Sequence, residues 1–406
     1  MTRPESPPLT PQQAEQVIDA RLSGLPPEVR PLEACLGQTL REDIYAERDN
    51  PPFDRVCMDG IAVDSSAIAR GVRRLALEGM QPAGAPALTL ANREHAVEVM
   101  TGDIMPRGTD SVIPLEEYEV ADGVVTLKAN ASGAPYRNVQ RRGEDSQPGV
   151  PMLRSGARLG APEIAVAASA GRAQLAVSRQ PAIMVISTGD ELIEPGQPIA
   201  EHQVRRSNAY ALVAALREHG LERVASDHLR DDERELTERL ARHLAACDVV
   251  VLSGGISKGK FDLVPKVLKS LGVTEVFHEV AQRPGRPMWF GSGARGQAVF
   301  GLPGNPVATL VCLTRYVVPA LGALMSAPRA TPEPIALAAP VKFGRSMSSF
   351  LPVAVSHDEH GQVRAVPRFP NGPGDFLALA GTAGFVELPP RAEEFPAGYV
   401  ARLYRW

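Results

Sequence analysis

The spacing of apolar residues changes character along the chain. Between Thr10 and Leu22, Val17, Ile18 and Leu22 fall at helical spacing behind Thr10, which can cap, and Pro11, which suits a first turn. After Asn50-Pro51-Pro52 the pattern becomes short apolar runs broken by Gly, Pro and Asp (GIAVD, HAVEVMTGD, DSVIPLEEYEV, GVVTLKA), which predicts an all-β module over 53–145. The alanine-rich stretch 161–171 returns to helix and is followed by another strand. The economical division is an interrupted first domain, 10–50 plus 146–180, with a β module inserted at 51–145.

From Pro181 onward, strand and helix patterns alternate. Ala182 to Ile186 reads as a buried strand, and Ser207 is expected to cap a helix with Leu212, Val213 and Leu216 on one face and Gly220 at its end. Asp231 or Asp232 starts a helix carrying Leu236, Leu240 and Leu244 at i, i+4 and i+8. Asp248–Leu252 reads as a strand, Leu263–Leu271 as a helix and Ala298–Phe300 as a strand, and Asn305-Pro306 offers a cap and first-turn pair for a long helix. Such alternation predicts a parallel sheet with crossover helices over 181–328. Beyond Pro332 period-two runs return (FLPVAVS, VRAVPRF, GFVELPP, YVARLYRW), so 329–406 is expected to be a small β domain. The predicted class is a multidomain α/β and β protein.

A length of 406 residues fits several domains, since single cores rarely grow beyond roughly 250–300 residues. With 44% hydrophobic and 22% charged residues the chain reads as a soluble globular protein, and its net charge of −4 argues against general nucleic-acid binding. Cysteines 35, 57, 247 and 312 show no CxxC pairing and are expected to be reduced packing residues. His357 and His360 read as a solvated hairpin tip rather than metal ligands. MTRPESPPLTPQQ lacks the build of a signal peptide, so a cytoplasmic location is expected. Val307–Met325 is the most membrane-like stretch, but Arg315, Pro319 and two threonines make it read as a buried helix.

Three glycine-bearing loops each follow an apolar run and precede a helix pattern: VISTGDEL, VLSGGISKGKFD and VFGLPGNP. A glycine bend lets backbone N–H groups approach an anion, and the following helix adds its positive N-terminal dipole. Gly254 and Gly255 fit a phosphate cradle or a plain tight turn. Asp262 fits a metal or ligand contact or a helix cap, and Lys258 and Lys260 fit phosphate clamps or a solvated rim. Asp190 and Glu191 would be costly at a buried strand end unless paired or metal-bound, with a helix N-terminus as the alternative. QRPGRP places Arg283 and Arg286 on a rigid turn, where guanidinium forks match oxyanions or simply stay solvated. Asp59-Gly60 alone reads as a turn between strands, and Thr101-Gly102-Asp103 and Arg141–Asp145 carry equally little by themselves.

Taken together, PPFDRVCMDGIAV, VMTGDIMPRGTDSVI, YRNVQRRGEDSQPG, STGDEL, LSGGISKGKFD, RPGRPMWFG and GLPGNPVATLV resemble, in order and spacing, the molybdopterin molybdenumtransferases, the family that includes the gephyrin E domain. The resemblance covers residues 10–325, and the terminal β part fits by position. It implies a four-domain subunit in an elongated homodimer, with an α/β domain similar to molybdopterin adenylyltransferase that holds adenylylated molybdopterin. It also implies insertion of molybdenum from molybdate with release of AMP, assisted by Mg²⁺. On that template Asp59, Asp145, Glu191 and Asp262 are the catalytic positions, and Asp59, Glu191 and Asp262 the metal positions. Thr101, Ser187, Thr188, Ser253, Gly254, Gly255, Arg283, Arg286, Pro303, Gly304 and Asn305 would contact substrate. The cleft would lie between subunits, with Asp59 and Thr101 facing the partner's α/β domain. Molybdopterin adenylyltransferase and apo-molybdoenzymes are the implied protein partners; neither nucleic acid nor membrane is.

The chain departs from the family pattern in places. Arg283 and Arg286 replace the two lysines of KPGKP, and Lys258 intrudes in the SGGVSVG loop. Pro352 and Pro373 stand where an arginine and a serine are linked to molybdate in relatives. A non-catalytic pterin-binding carrier is therefore the competing reading, ahead of an Mg²⁺-dependent nucleotide hydrolase.

Overall fold

The run Val249–Ser253 is buried at every position, as a strand covered on both faces requires. It occupies the centre of a six-stranded sheet in the computed structural model, which describes residues 7–256, 263–343, 346–372, 374–390 and 394–406. The strand order is Val224–Leu229, Ile183–Thr188, Val249–Ser253, Ala298–Leu302, Trp289–Ser292, Thr274–His278. The first four are parallel and in line, so that Ser187 pairs with Ser253 and Ser253 with Leu302 at their carboxyl ends. The last two add antiparallel. The regular alternation read from the sequence breaks there because Ser292 and Ala298 are joined by a short turn, too tight for the crossover that a parallel pair needs.

Alternate strand residues feed opposite cores. Val249 and Val251 pack with Leu212, Leu216, Phe300 and Leu313, while Val250 and Leu252 pack with Leu236, Leu240 and Leu244. Helix Glu233–Ala246 starts where expected: the Asp232 side chain accepts from the Glu235 amide at 2.8 Å. Ser207, by contrast, does not cap. It is the first helical residue of Ser207–Glu218, and Arg206 holds the cap position without a side-chain cap bond. The reason is the two-stranded ribbon Leu192–Ile193 with Val204–Arg205, which carries pairing one residue further through the Arg206 amide to Ile193 O, 3.0 Å.

The helix from Pro306 to Leu324 is long and apolar enough to cross a membrane, but 72% of that window is buried inside the protein. It passes through a π segment at Leu313–Val317. Pro319 lacks the N–H that would bond the Arg315 carbonyl, and a π turn absorbs such a gap.

Strand Pro27–Pro31 pairs antiparallel with Gln174–Ser178, and Ile44–Tyr45 with Pro151–Leu153, around Cys35, Leu40, Leu159, Ala167 and Val177. Between them lies a second six-stranded sheet, in the order Ser111–Pro114, Gly60–Val63, His95–Val99, Arg74–Met80, Val124–Leu127, Tyr118–Ala121. That segment is not purely β: Asp64 accepts from the Ser66 amide and caps a one-turn helix, Ser65–Ala69. Cys57 departs from the expected packing role, being exposed, while all four cysteines are free.

The C-terminal strands close a ring. Ser348–His357 pairs with Val363–Pro367 and with Gly384–Leu388, and Glu333–Leu337 and Val400–Arg405 complete the circuit. Gln282 and Arg283 add to this barrel in parallel, opposite Ser348 and Ser349. The RPGRP turn is therefore pinned between the α/β sheet and the barrel.

Candidate functional site

The four parallel strands deliver their loops to one edge, where a cavity of about 350 Å³ is lined by Ser187, Thr188, Glu191, Ser253, Gly254 and Gly304 among others. Gly254 and Gly255 have φ of +95° and +64°, a conformation that disfavours side chains. They also sit against Thr188: a Cβ on Gly255 would lie 2.6 Å from Thr188 Oγ1 and 2.9 Å from Val264 Cγ2. The tight turn and the close backbone approach are thus one feature. Gly255→Ala is expected to cost about 1–2 kcal/mol from the left-handed backbone alone, more with the clash, and to weaken ligand binding. Urea denaturation beside a binding titration checks this.

Glu191 and Asp190 are exposed, so the expected desolvation penalty does not arise. The Glu191 carboxylate folds over Gly189, where a Cβ would be 2.4 Å from Oε2. Thr188 Oγ1 and Asn208 Oδ1 are buried cleft-wall atoms that find no partner among the described residues. An unmatched buried polar atom costs on the order of 1–3 kcal/mol, so these two are available to a ligand.

Asn208 was not singled out by sequence reasoning. Its amide donates to Ser253 Oγ and Gly304 O, both at 2.9 Å, tying two strand-end loops to a third element. Asn305 caps the Pro306 helix, its Oδ1 accepting from the Val307 and Ala308 amides at 2.9 and 3.2 Å. The Pro303 carbonyl accepts from Thr309 Oγ1. Arg206, 8% exposed, also lines the cleft, paired with Glu194 and bonded to Ser226.

Arg283 and Arg286 are not together. Arg283 lines a neighbouring cavity of about 440 Å³ with Asn305, Pro352 and three phenylalanines, and Arg286 pairs with Glu279 at 3.2 Å. The Gly304–Val307 turn lies between the two cavities, contributing Gly304 and Pro306 to one and Asn305 and Val307 to the other.

Asp59, Thr101 and Asp145 belong to the inserted module and do not line the cleft. Strands Gly60–Val63 and His95–Val99 pair Gly60 with Val99, which brings Asp59 to Thr101. Asp59 Oδ1 accepts from the Thr101 amide at 2.7 Å and its hydroxyl at 2.8 Å. The amide bond, then the hydroxyl bond, holds the Asp59 carboxyl below its ordinary range, so it is a carboxylate at neutral pH. Asp59-Gly60 is not merely a turn. Gly60 begins a strand, and a Cβ there would lie 2.1 Å from Ile113 O. Asp145 accepts from Gln140 at 2.8 Å. Asp262, Lys258, Lys260 and Pro373 fall outside the described residues. Among the described residues, no cluster of three or more His, Cys, Asp or Glu could hold a metal within one chain.

A cleft at the carboxyl edge of a parallel sheet, joined to a β-inserted first unit and a terminal barrel, defines a class of multidomain ligand-binding α/β protein. Residues 9–171 match the MoeA N-terminal region (domain I and II), 184–323 a probable molybdopterin binding domain, and 334–406 the MoeA C-terminal region (domain IV). The chain is 38% identical over 97% of its length to a molybdopterin molybdenumtransferase of Synechocystis, covering 98% of that protein. It is 30% identical over 98% of its length to one from Staphylococcus aureus, covering 95% of it. A molybdopterin biosynthesis MoeA protein from Pyrococcus horikosii superposes with a TM-score of 0.80 at 31% identity, with 98% of each chain covered. The chain belongs to the molybdopterin molybdenumtransferase family.

Proposed function

We propose that this chain is a cytoplasmic molybdenumtransferase that inserts molybdenum from molybdate into adenylylated molybdopterin and releases AMP, as a homodimer. The observation that carries the reading is the cleft at the strand ends. Hydroxyls of Ser187, Thr188 and Ser253 and the glycine turn at Gly254 converge there on the positive end of the Pro306 helix. That set suits a phosphorylated ligand, and positioning and electrostatics would carry the chemistry. Four free thiols, one of them exposed, suit a reducing compartment.

Glu191 in the cleft offers carboxylate oxygens of the type Mg²⁺ takes, and Asp59 of the partner subunit would add another. The ion would neutralise pyrophosphate charge when bound. Asp59 is already ionised and oriented by Thr101, but it stands on a different module from Glu191, which favours a site completed by a second copy.

One observation favours a carrier as the second reading: among the described residues Arg283 is the one cation lining the neighbouring cavity, whose other walls include Phe343, Phe350, Phe369 and Pro352. The test is incubation with adenylylated molybdopterin, Mg²⁺ and molybdate. AMP release with reconstitution of an apo-molybdoenzyme is expected. Tight pterin binding with neither would establish the carrier.

A further inference from the structure

We infer that Phe376, supplied by the C-terminal barrel, is the wall on which a planar heteroaromatic ring of the ligand stacks. The inference rests on the proposed reading of the cleft, whose ligand has two such rings, a pterin and an adenine. Most groups lining the cavity are hydroxyls, charges and glycine backbone, which serve phosphates but leave a ring's faces in water. Among the described lining residues Phe376 is the aromatic one, and Leu192, Val204 and Pro306 supply the remaining apolar surface. Burial of ring faces on such groups is what a heterocycle needs.

The position of Phe376 is braced. The Asp375 carboxylate accepts from the Asn371 and Ala378 amides at 2.9 and 3.2 Å, and the Phe376 amide donates to Gly374 O at 3.0 Å. The Leu379 amide donates back to Phe376 O at 3.0 Å, and Leu379 is 8% exposed, so it anchors the turn. Phe376 is left half-buried at the cavity rather than in the barrel core. The polar groups of the cleft come from one domain and its aromatic wall from another. Ring binding therefore joins the two.

The test is calorimetric titration of wild type, Phe376→Ala and Phe376→Trp with AMP, molybdopterin and ribose 5-phosphate. Loss of stacking on removal of an aromatic side chain is expected to weaken a ring-bearing ligand about tenfold. Phe376→Ala should therefore lose about tenfold against AMP or against molybdopterin, whichever ring rests there, and keep wild-type affinity for ribose 5-phosphate. Phe376→Trp should retain the binding. Unchanged affinity for both ring-bearing ligands would overturn the inference alone, as would a parallel loss against all three, which marks a merely structural residue. If wild type binds none of the three, the reading of the cleft falls and the inference with it.

Discussion

Co-expression of Asp59→Ala with Glu191→Ala should restore cofactor maturation that neither variant supports alone. Asp59 is fixed by Thr101 on the inserted module, and Glu191 lines the cleft of the α/β domain. If a site takes one residue from each subunit of a two-fold dimer, a mixed dimer has one site with both residues and one with neither. Random assortment makes about half the dimers mixed, so activity should return to roughly a quarter of wild type. Asp59→Ala alone should remove activity without unfolding, because Asp59 and the Thr101 that bonds its carboxylate are both exposed. The readout is reconstitution of an apo-molybdoenzyme from lysates holding one or both variants. Mixed lysates as inactive as either variant alone would place Asp59 and Glu191 in the same subunit's site or remove one of them from it.

Three of the four parallel strands were legible because they are buried on both faces and stand out as apolar runs, whereas Val224–Leu229, with Ala225 and Ser226 exposed, shows no such run. The VVVL run leads into Ser253 and Gly254, and IMVIS into Thr188 and Gly189, so the point where burial ends is marked by a change of residue type. Helix Glu233–Ala246 shows its buried face as Leu236, Leu240 and Leu244, and Thr10 announces its helix through a reciprocal capping box with Gln13. Trp289–Ser292 carries no strand signal, because four residues are too few to show a period and the adjoining RPGRP has the composition of an anion loop. Asn208 was invisible for another reason. Its partners Ser253 and Gly304 lie far along the chain, and an Asn in a first helical turn looks like ordinary helix-start chemistry. Phe376 likewise reaches the cleft only because the barrel docks there, and no local pattern encodes that.

Arg315→Ala is expected to destabilise the protein by about 3–5 kcal/mol, because it leaves buried carboxylate charge without its counter-charge. Arg315 is 2% exposed in the π segment of the long helix. Its Nη1 lies 3.0 Å from Glu15 on the first helix, and its Nε lies 3.7 Å from Glu387 in the barrel, whose side chain is 7% exposed. The guanidinium stacks 5.1 Å from the Tyr404 ring centroid, and Tyr404 donates to Glu387 at 2.9 Å. Burial pushes the Tyr404 hydroxyl well above its ordinary range, so it remains a donor across the accessible pH range. Three segments distant in sequence thus meet on one cation. Arg329 also pairs with Glu15, so Glu15 keeps a charged partner in the variant, while among the described residues Glu387 keeps the uncharged Tyr404 and Gln12. The same logic predicts that Arg315→Met combined with Glu387→Gln recovers most of the loss, since removing both charges is often close to neutral where removing one is not. Urea unfolding of the two single variants and the double variant measures this coupling. Additive losses would mean that Glu387 does not depend on Arg315, and that the contact between helix and barrel is held by packing alone.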